Sequence, residues 1–173
     1  MTDYEVEYQN HESACGEPFV EIENFFSNSA QLKLEVLDLG CGQGRDALTA
    51  ARYGHRVVGV DIAPTGIRQM REKAAALGLD VVGKIADLCS FRSPVKYDVV
   101  ILDRVVHMLV PLEAKIQLLE TAANSTKAGG QVLLVDTPKN LPIIDRYFES
   151  FVEWELFFRK KGFRFYRKAE NAA

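Results

Sequence analysis

Short apolar runs alternate with longer amphipathic stretches from residue 34 to residue 137, and this alternation restricts the possible folds more than any other feature. The apolar runs lie at 35–39, 56–60, 81–85, 98–102 and 131–135, rich in Val, Leu and Ile and nearly continuous. Strands that read this way are buried on both faces, as in a parallel sheet covered by helices. Helices are expected over 45–53 before Gly54, over 65–77 between Pro64 and Gly78, and over 112–126 between Pro111 and Gly129-Gly130. Proline near the start and glycine after the end are the usual helix punctuation. Strand, helix, strand, repeated, predicts a doubly wound α/β sheet.

The flanks differ. Residues 18–28 place Phe19, Val20, Ile22, Phe25 and Phe26 at helical spacing, so a leading helix is expected there. A further short helix is expected over 143–150, and then a hairpin from the aromatic-rich runs 151–158 and 163–168, joined through Gly162. The 173 residues read as one domain. Its expected parts are an N-terminal lid and helix over 1–32, a core over 33–139, and a C-terminal helix and hairpin over 140–173.

Charge excludes some functions. The net charge of −3 offers no strong grip on a phosphate backbone, so no nucleic-acid partner is expected. That value hides an asymmetry: residues 1–32 hold seven acids and no Lys or Arg, whereas residues 156–173 hold six bases and one acid. Cys15, Cys41 and Cys89 form no C-x-x-C pair, which argues for a reducing compartment and against a zinc module, so no metal is expected. The first basic residue is Lys33, so no signal peptide is read. No apolar run approaches the ~20 residues of a membrane span. A cytoplasmic protein without a membrane partner is the expectation; the oligomeric state is left open.

The run from Leu37 to Asp46 closes the first strand and opens the first helix, with glycine at 40, 42 and 44. A dinucleotide loop would be G-x-G-x-x-G, with its third glycine at position 45, where this chain has Arg45. A pyrophosphate wants helix N–H groups and no nearby anion, whereas the carboxylate of Asp38 suits a ligand bearing an ammonium group. Asp61 ends the second strand, where a carboxylate can accept from both ribose hydroxyls. Asp87 follows the third strand and Asp103 closes the fourth. A lone Asp after a strand is often a turn former, and that reading stays open for Asp103.

These residues resemble the successive motifs of the class I S-adenosylmethionine-dependent methyltransferases, over about residues 34–137. The resemblance implies a Rossmann-like, mostly parallel seven-stranded sheet with an antiparallel C-terminal hairpin strand. It implies that Asp38, Gly40, Gly42 and Gly44 hold the amino-acid end of S-adenosyl-L-methionine, that Asp61 meets the ribose, and that Asp87 meets the adenine; Cys41, Ile62, Leu88 and Asp103 complete the expected cofactor set. The product would be S-adenosyl-L-homocysteine. Residues 41–48 with 54–57 are similar, more narrowly, to the small tellurite-resistance-type and thiopurine-type methyltransferases.

In-line methyl transfer needs alignment above all, and a base only when the nucleophile arrives protonated. Arg104 and His107, after the fourth strand, are the candidate anion ligand and base; the alternative for His107, and the favoured one, is a capping or packing residue. Tyr8, His11 and Cys15 are candidates to fold over the cofactor, the equal alternative being that residues 1–12 are disordered. Cys41 reads as small buried filler, and Cys89 has no base partner in the sequence. Nucleic-acid methylation is disfavoured, since there is no Asp-Pro-Pro-Tyr-like tetrapeptide and no Pro-Cys nucleophile. A small-molecule methyltransferase is therefore expected. The alternatives are a cofactor-binding or partner-binding protein without transfer activity, and a methyltransferase for metalloid or chalcogen oxyanions.

Overall fold

The computed structural model describes residues 4–170, so Asp3 of the acidic N-terminal run lies outside the described residues. The elements in chain order are α1 (Tyr4–Asn10), α2 (Val20–Asn28), β1 (Glu35–Leu39), α3 (Arg45–Arg52), β2 (Arg56–Asp61), α4 (Pro64–Ala76), β3 (Val81–Ile85), β4 (Tyr97–Asp103), α5 (Leu112–Asn124), β5 (Thr126–Val135), α6 (Leu141–Glu149), β6 (Trp154–Lys160) and β7 (Phe163–Lys168). They fall into two compact units, divided after Leu88.

The first unit is a parallel sheet, β3-β2-β1, with Leu37 opposite Val58 and Leu39 opposite Val60. β1 is apolar on both faces: Val36, Leu37 and Leu39 are fully buried, as are Ile22 and Phe26 of α2, Ala47 of α3 and Ile67 and Met70 of α4. His55 fastens α2 to this sheet. Its Nδ1 accepts from the Leu34 N–H at 3.1 Å and its Nε2 faces the Phe26 carbonyl at 3.4 Å, so the ring is the neutral Nε2–H tautomer. Helix α1, absent from the sequence expectation, packs on α4; its two-turn length left too little periodicity to read.

The second unit pairs β4 with β5 in parallel, then β5 with β7 and β7 with β6 antiparallel. Asp145 of α6 ties that helix to the hairpin: it accepts from Arg164 Nε at 2.7 Å and from the Tyr166 hydroxyl at 2.6 Å. Phe148 stacks on Tyr166 at 4.4 Å and meets Trp154 edge-on at 4.9 Å. Within each unit the strands run parallel except for β7, which gives the α/β class expected.

Three boundaries differ from expectation. α5 ends at Asn124 and Gly129-Gly130 lies inside β5, because Thr126 already pairs with Tyr97. α6 begins at Leu141, ahead of Pro142, since proline is tolerated in a first helical turn. β6 begins at Trp154 rather than at 151; Phe151 and Val152 sit exposed in the turn after α6, and a bulge between Leu156 and Phe158 breaks the alternation.

Candidate active site

In the first unit β1 leads directly into the glycine loop. Asp38, within the strand, is 2% exposed, and its Oδ2 has no hydrogen-bond partner. Burial first, and then the like charge of Asp46, hold its pKa well above the usual carboxylate range, against a lowering by Arg45. Four of the five amides from residue 40 to residue 44 are spent within the protein. Gly40 and Cys41 N–H donate to the Val60 carbonyl at 2.7 and 3.1 Å, and Gly44 N–H to the Cys41 carbonyl at 2.8 Å. Gly42 N–H donates to Asp61 Oδ2 at 2.8 Å. A loop whose amides are used this way, flanked by two carboxylates, is no anion cradle and favours a cation.

Asp61 ends β2, and its Oδ1 accepts from the Ala63 N–H at 2.8 Å. Each carboxylate oxygen thus carries one backbone bond and keeps a second lone pair for a ligand hydroxyl. Ala86 N–H, just past β3, donates to the Asp61 carbonyl at 2.9 Å, which brings the Asp87-Leu88 turn to the same strand edge. Asp87 is exposed there and Leu88 half-buried, while Ile62 is 65% exposed and offers an apolar surface.

The N-terminal segment lies over this loop. Gly42 is in the left-handed region at φ 51°, and a side chain there would run into the hydroxyl of Tyr8, itself 5% exposed. Burial, then the neighbouring Cys15 and Asp61, push the Tyr8 phenol well above its ordinary pKa, so it stays neutral. Gln43 is the fastener: its Oε1 accepts from the Ala14 N–H at 2.8 Å, and its Nε2 donates to the His11 carbonyl and to Gln69 Oε1. Gln69 in turn donates to the Tyr8 carbonyl at 2.9 Å, and Arg45 to the Cys15 carbonyl at 2.9 Å. Glu5 accepts from the backbone and hydroxyl of Thr65 at the start of α4, which holds its pKa below the usual value. Of the expected cover residues, Tyr8 and Cys15 reach the loop by side chain, whereas His11 contributes its carbonyl. Cys41 is buried and its thiol pushed up by burial, so it is filler.

These residues fit S-adenosyl-L-methionine. The orphaned Asp38 oxygen suits an ammonium, the free lone pairs of Asp61 suit a ribose diol, and Ile62 with Asp87 suits a purine. The absence of an anion cradle matches a ligand without phosphate.

In the second unit the carboxyl ends of β4 and β5 carry the remaining candidates. Arg104 follows Asp103 with φ 56°, a conformation L-residues seldom adopt, held by its N–H on the Val135 carbonyl at 2.7 Å. Its Nε lies 3.3 Å from Asp103 Oδ1, so Asp103 is engaged by its neighbour. His107 sits in a short 3-10 turn at Val106–Met108, its side chain 30% exposed. Its Nδ1 is buried and faces Asp136 Oδ2 at 3.6 Å, and its backbone N–H donates to the same oxygen at 3.2 Å. Asp136 Oδ1 accepts from Thr137 N–H at 2.7 Å and from Asn140 Nδ2 at 2.8 Å, and Asn140 Oδ1 accepts from Lys115 Nζ at 2.7 Å. The sequence reading missed Asp136 and Asn140. The signal was present: Asp136 follows β5 as the other acids follow theirs. Lys139 is exposed.

A family model described as a methyltransferase domain matches residues 36–130. The chain is 32% identical over 114 residues to the 2-heptyl-1-hydroxyquinolin-4(1H)-one methyltransferase of Mycobacteroides abscessus, covering 64% of this chain and 50% of that one. It is 29% identical over 132 residues to the probable S-adenosyl-L-methionine-dependent methyltransferase TehB of Haemophilus influenzae, covering 70% of this chain and 46% of that one. It thus spans about half the length of these curated relatives. Among solved structures, the N-methyltransferase NodS of Bradyrhizobium japonicum, in complex with S-adenosyl-L-homocysteine, superposes with TM-score 0.71 at 11% identity, over 96% of this chain and 99% of that one, which shows the shared fold. A glycine loop that welcomes a cation, a diol-ready acid after β2 and the match over the core together give the conclusion that the chain belongs to the S-adenosylmethionine-dependent methyltransferase family.

Proposed function

We propose that this protein transfers a methyl group from S-adenosyl-L-methionine to a small-molecule acceptor by in-line displacement. The observation that carries the reading is the glycine loop, its amides internally bonded and its two flanking carboxylates left to meet a cation and a diol. The cofactor supplies the electrophilic carbon and a neutral leaving sulfur. Asp38 faces the ammonium, Asp61 fixes the ribose, and Ile62, Asp87 and Leu88 take the adenine. Tyr8 excludes water from the loop. Arg104 and His107 act on the acceptor. The M. abscessus relative is named for a small hydroxylated heterocycle, which favours a small acceptor here too.

Calorimetry with S-adenosyl-L-methionine tests the premise: binding by the wild type, weakened at least tenfold in Asp61→Ala, is expected. A wild type that does not bind overturns the reading. Binding without turnover on a panel of phenols, thiols, amines and oxyanions points instead to a binding protein without transfer activity.

A further inference from the structure

We propose that the outer edge of β6 is an interaction surface for a second copy of this chain, paired antiparallel about a two-fold axis between Phe157 and Phe158. Within the second unit β7 lies between β5 and β6, and among the described residues no strand pairs with the other side of β6. Such an edge offers a row of N–H and C=O groups to another chain. Ala169 N–H donates to the Glu153 carbonyl at 2.7 Å, so by alternation Trp154 and Leu156 turn their backbone groups away from β7. Lys160 pairs with Phe163 across the two-residue turn Lys161-Gly162, which makes Arg159 the outward residue beyond the bulge. In the proposed register Leu156 of one copy meets Arg159 of the other, and this backbone pair forms twice about the axis.

The side chains select this arrangement. Acids lie at one end of the strand, Glu155 within it and Glu153 just before, and bases at the other, Arg159, Lys160 and Lys161. A parallel copy would set Glu155 on Glu155 and Lys160 on Lys160, and like charges directly opposite are destabilising. An antiparallel copy sets Glu155 of each chain against Lys160 of the other. The bulge between Leu156 and Phe158 is what makes that match possible. Five residues apart in a regular strand, these two side chains would stand on opposite faces. With the extra residue they share one: Glu155 lies opposite Arg167 and Lys160 opposite Phe163, two positions of like parity on β7. That face points away from α6, because Arg164 and Tyr166, of the other parity, bond Asp145 of α6.

Both side chains are exposed. The neighbouring charges do not compete for the contact. Arg167 lies over the Phe157 ring at 4.9 Å, and Arg159 turns to Asp145 and Glu149 of α6 at 3.6 and 3.4 Å. Phe151 and Val152, exposed ahead of the strand, come beside the Lys161-Gly162 turn of the copy and are covered by it. The two bulges meet at the axis, so the shared ladder has two short arms. One contact uses the edge of both chains, and pairing closes at two.

Sedimentation equilibrium of the full chain tests the pairing. The wild type is expected to approach twice the chain mass of 19.4 kDa as concentration rises. Glu155→Lys alone and Lys160→Glu alone each oppose like charges at both ends of the contact, and each is expected to weaken association by about tenfold or more. Mixed one to one, the two variants are expected to associate within about threefold of the wild type, since each supplies the charge the other lacks. Recovery on mixing also shows that both variants are folded. A second readout needs no substitution: wild-type association is expected to weaken in about 1 M salt. A wild type that stays monomeric up to about 100 μM overturns the proposal. Single variants that associate as the wild type does place the contact elsewhere and overturn it too. Folded variants that fail to recover on mixing, or association that salt leaves unchanged, overturn the antiparallel charge match.

Discussion

Asp61 and Gly44 show how much a single position decides. Asp61 spends one lone pair of each oxygen on the backbone of the loop it serves. Asp61→Asn, able to keep only one of those acceptors, should therefore weaken cofactor binding and loosen the loop together, visible as faster amide exchange at Gly42. Gly44 has φ 83°, and a methyl group there would strike the side chain of buried Met70. Gly44→Ala should cost about 1–3 kcal/mol in urea unfolding. The glycines and Asp61 were legible because their signal is local: strand, turn and helix start within ten residues. Asp136 was not, since what distinguishes it is Asn140, Lys115 and His107 converging on it, and only the fold brings these together.

Elements tell a similar story at longer range. The strands and α3 to α5 followed from apolar runs and Pro/Gly punctuation. β5 exceeded its expected span because pairing with β4 carries it through Gly129-Gly130, and no local pattern encodes a partner. Helix α1 is short and acidic, and what makes it a helix is its seat on α4. Acids without a neighbouring Lys or Arg in residues 1–32 would suit basic groups elsewhere in the chain. Glu5 instead bonds the N-terminal turn of α4, while Lys73 takes the Glu12 carbonyl at 2.6 Å and not its carboxylate. Glu5→Ala should speed proteolysis within the first seventeen residues while leaving the midpoint of global unfolding nearly in place.

Over the whole molecule, stability should carry a histidine-dependent acid limb. His55 is buried and neutral, its pKa lowered from 6.5 by burial against the pull of the Phe26 carbonyl. The unfolded chain therefore binds the proton more readily, and stability falls as pH drops below the unfolded value of about 6.5. The thermal midpoint of the wild type should decline from pH 6.5 to 5, and less steeply in His55→Asn, which keeps polar contact but does not titrate. Among the described residues no helix is long and apolar enough to cross a membrane.

The seat of α1 has a kinetic consequence. Tyr8 lies on Gly42, and two hydrogen bonds at Gln43 with one from Gln69 hold the segment down, so a ligand seated under it would leave as that segment lifts. Residence time would then be set by the opening of α1 and not by the ligand's own contacts. Loosening the helix would speed arrival and departure alike, leaving the equilibrium affinity little altered while the turnover clock runs faster.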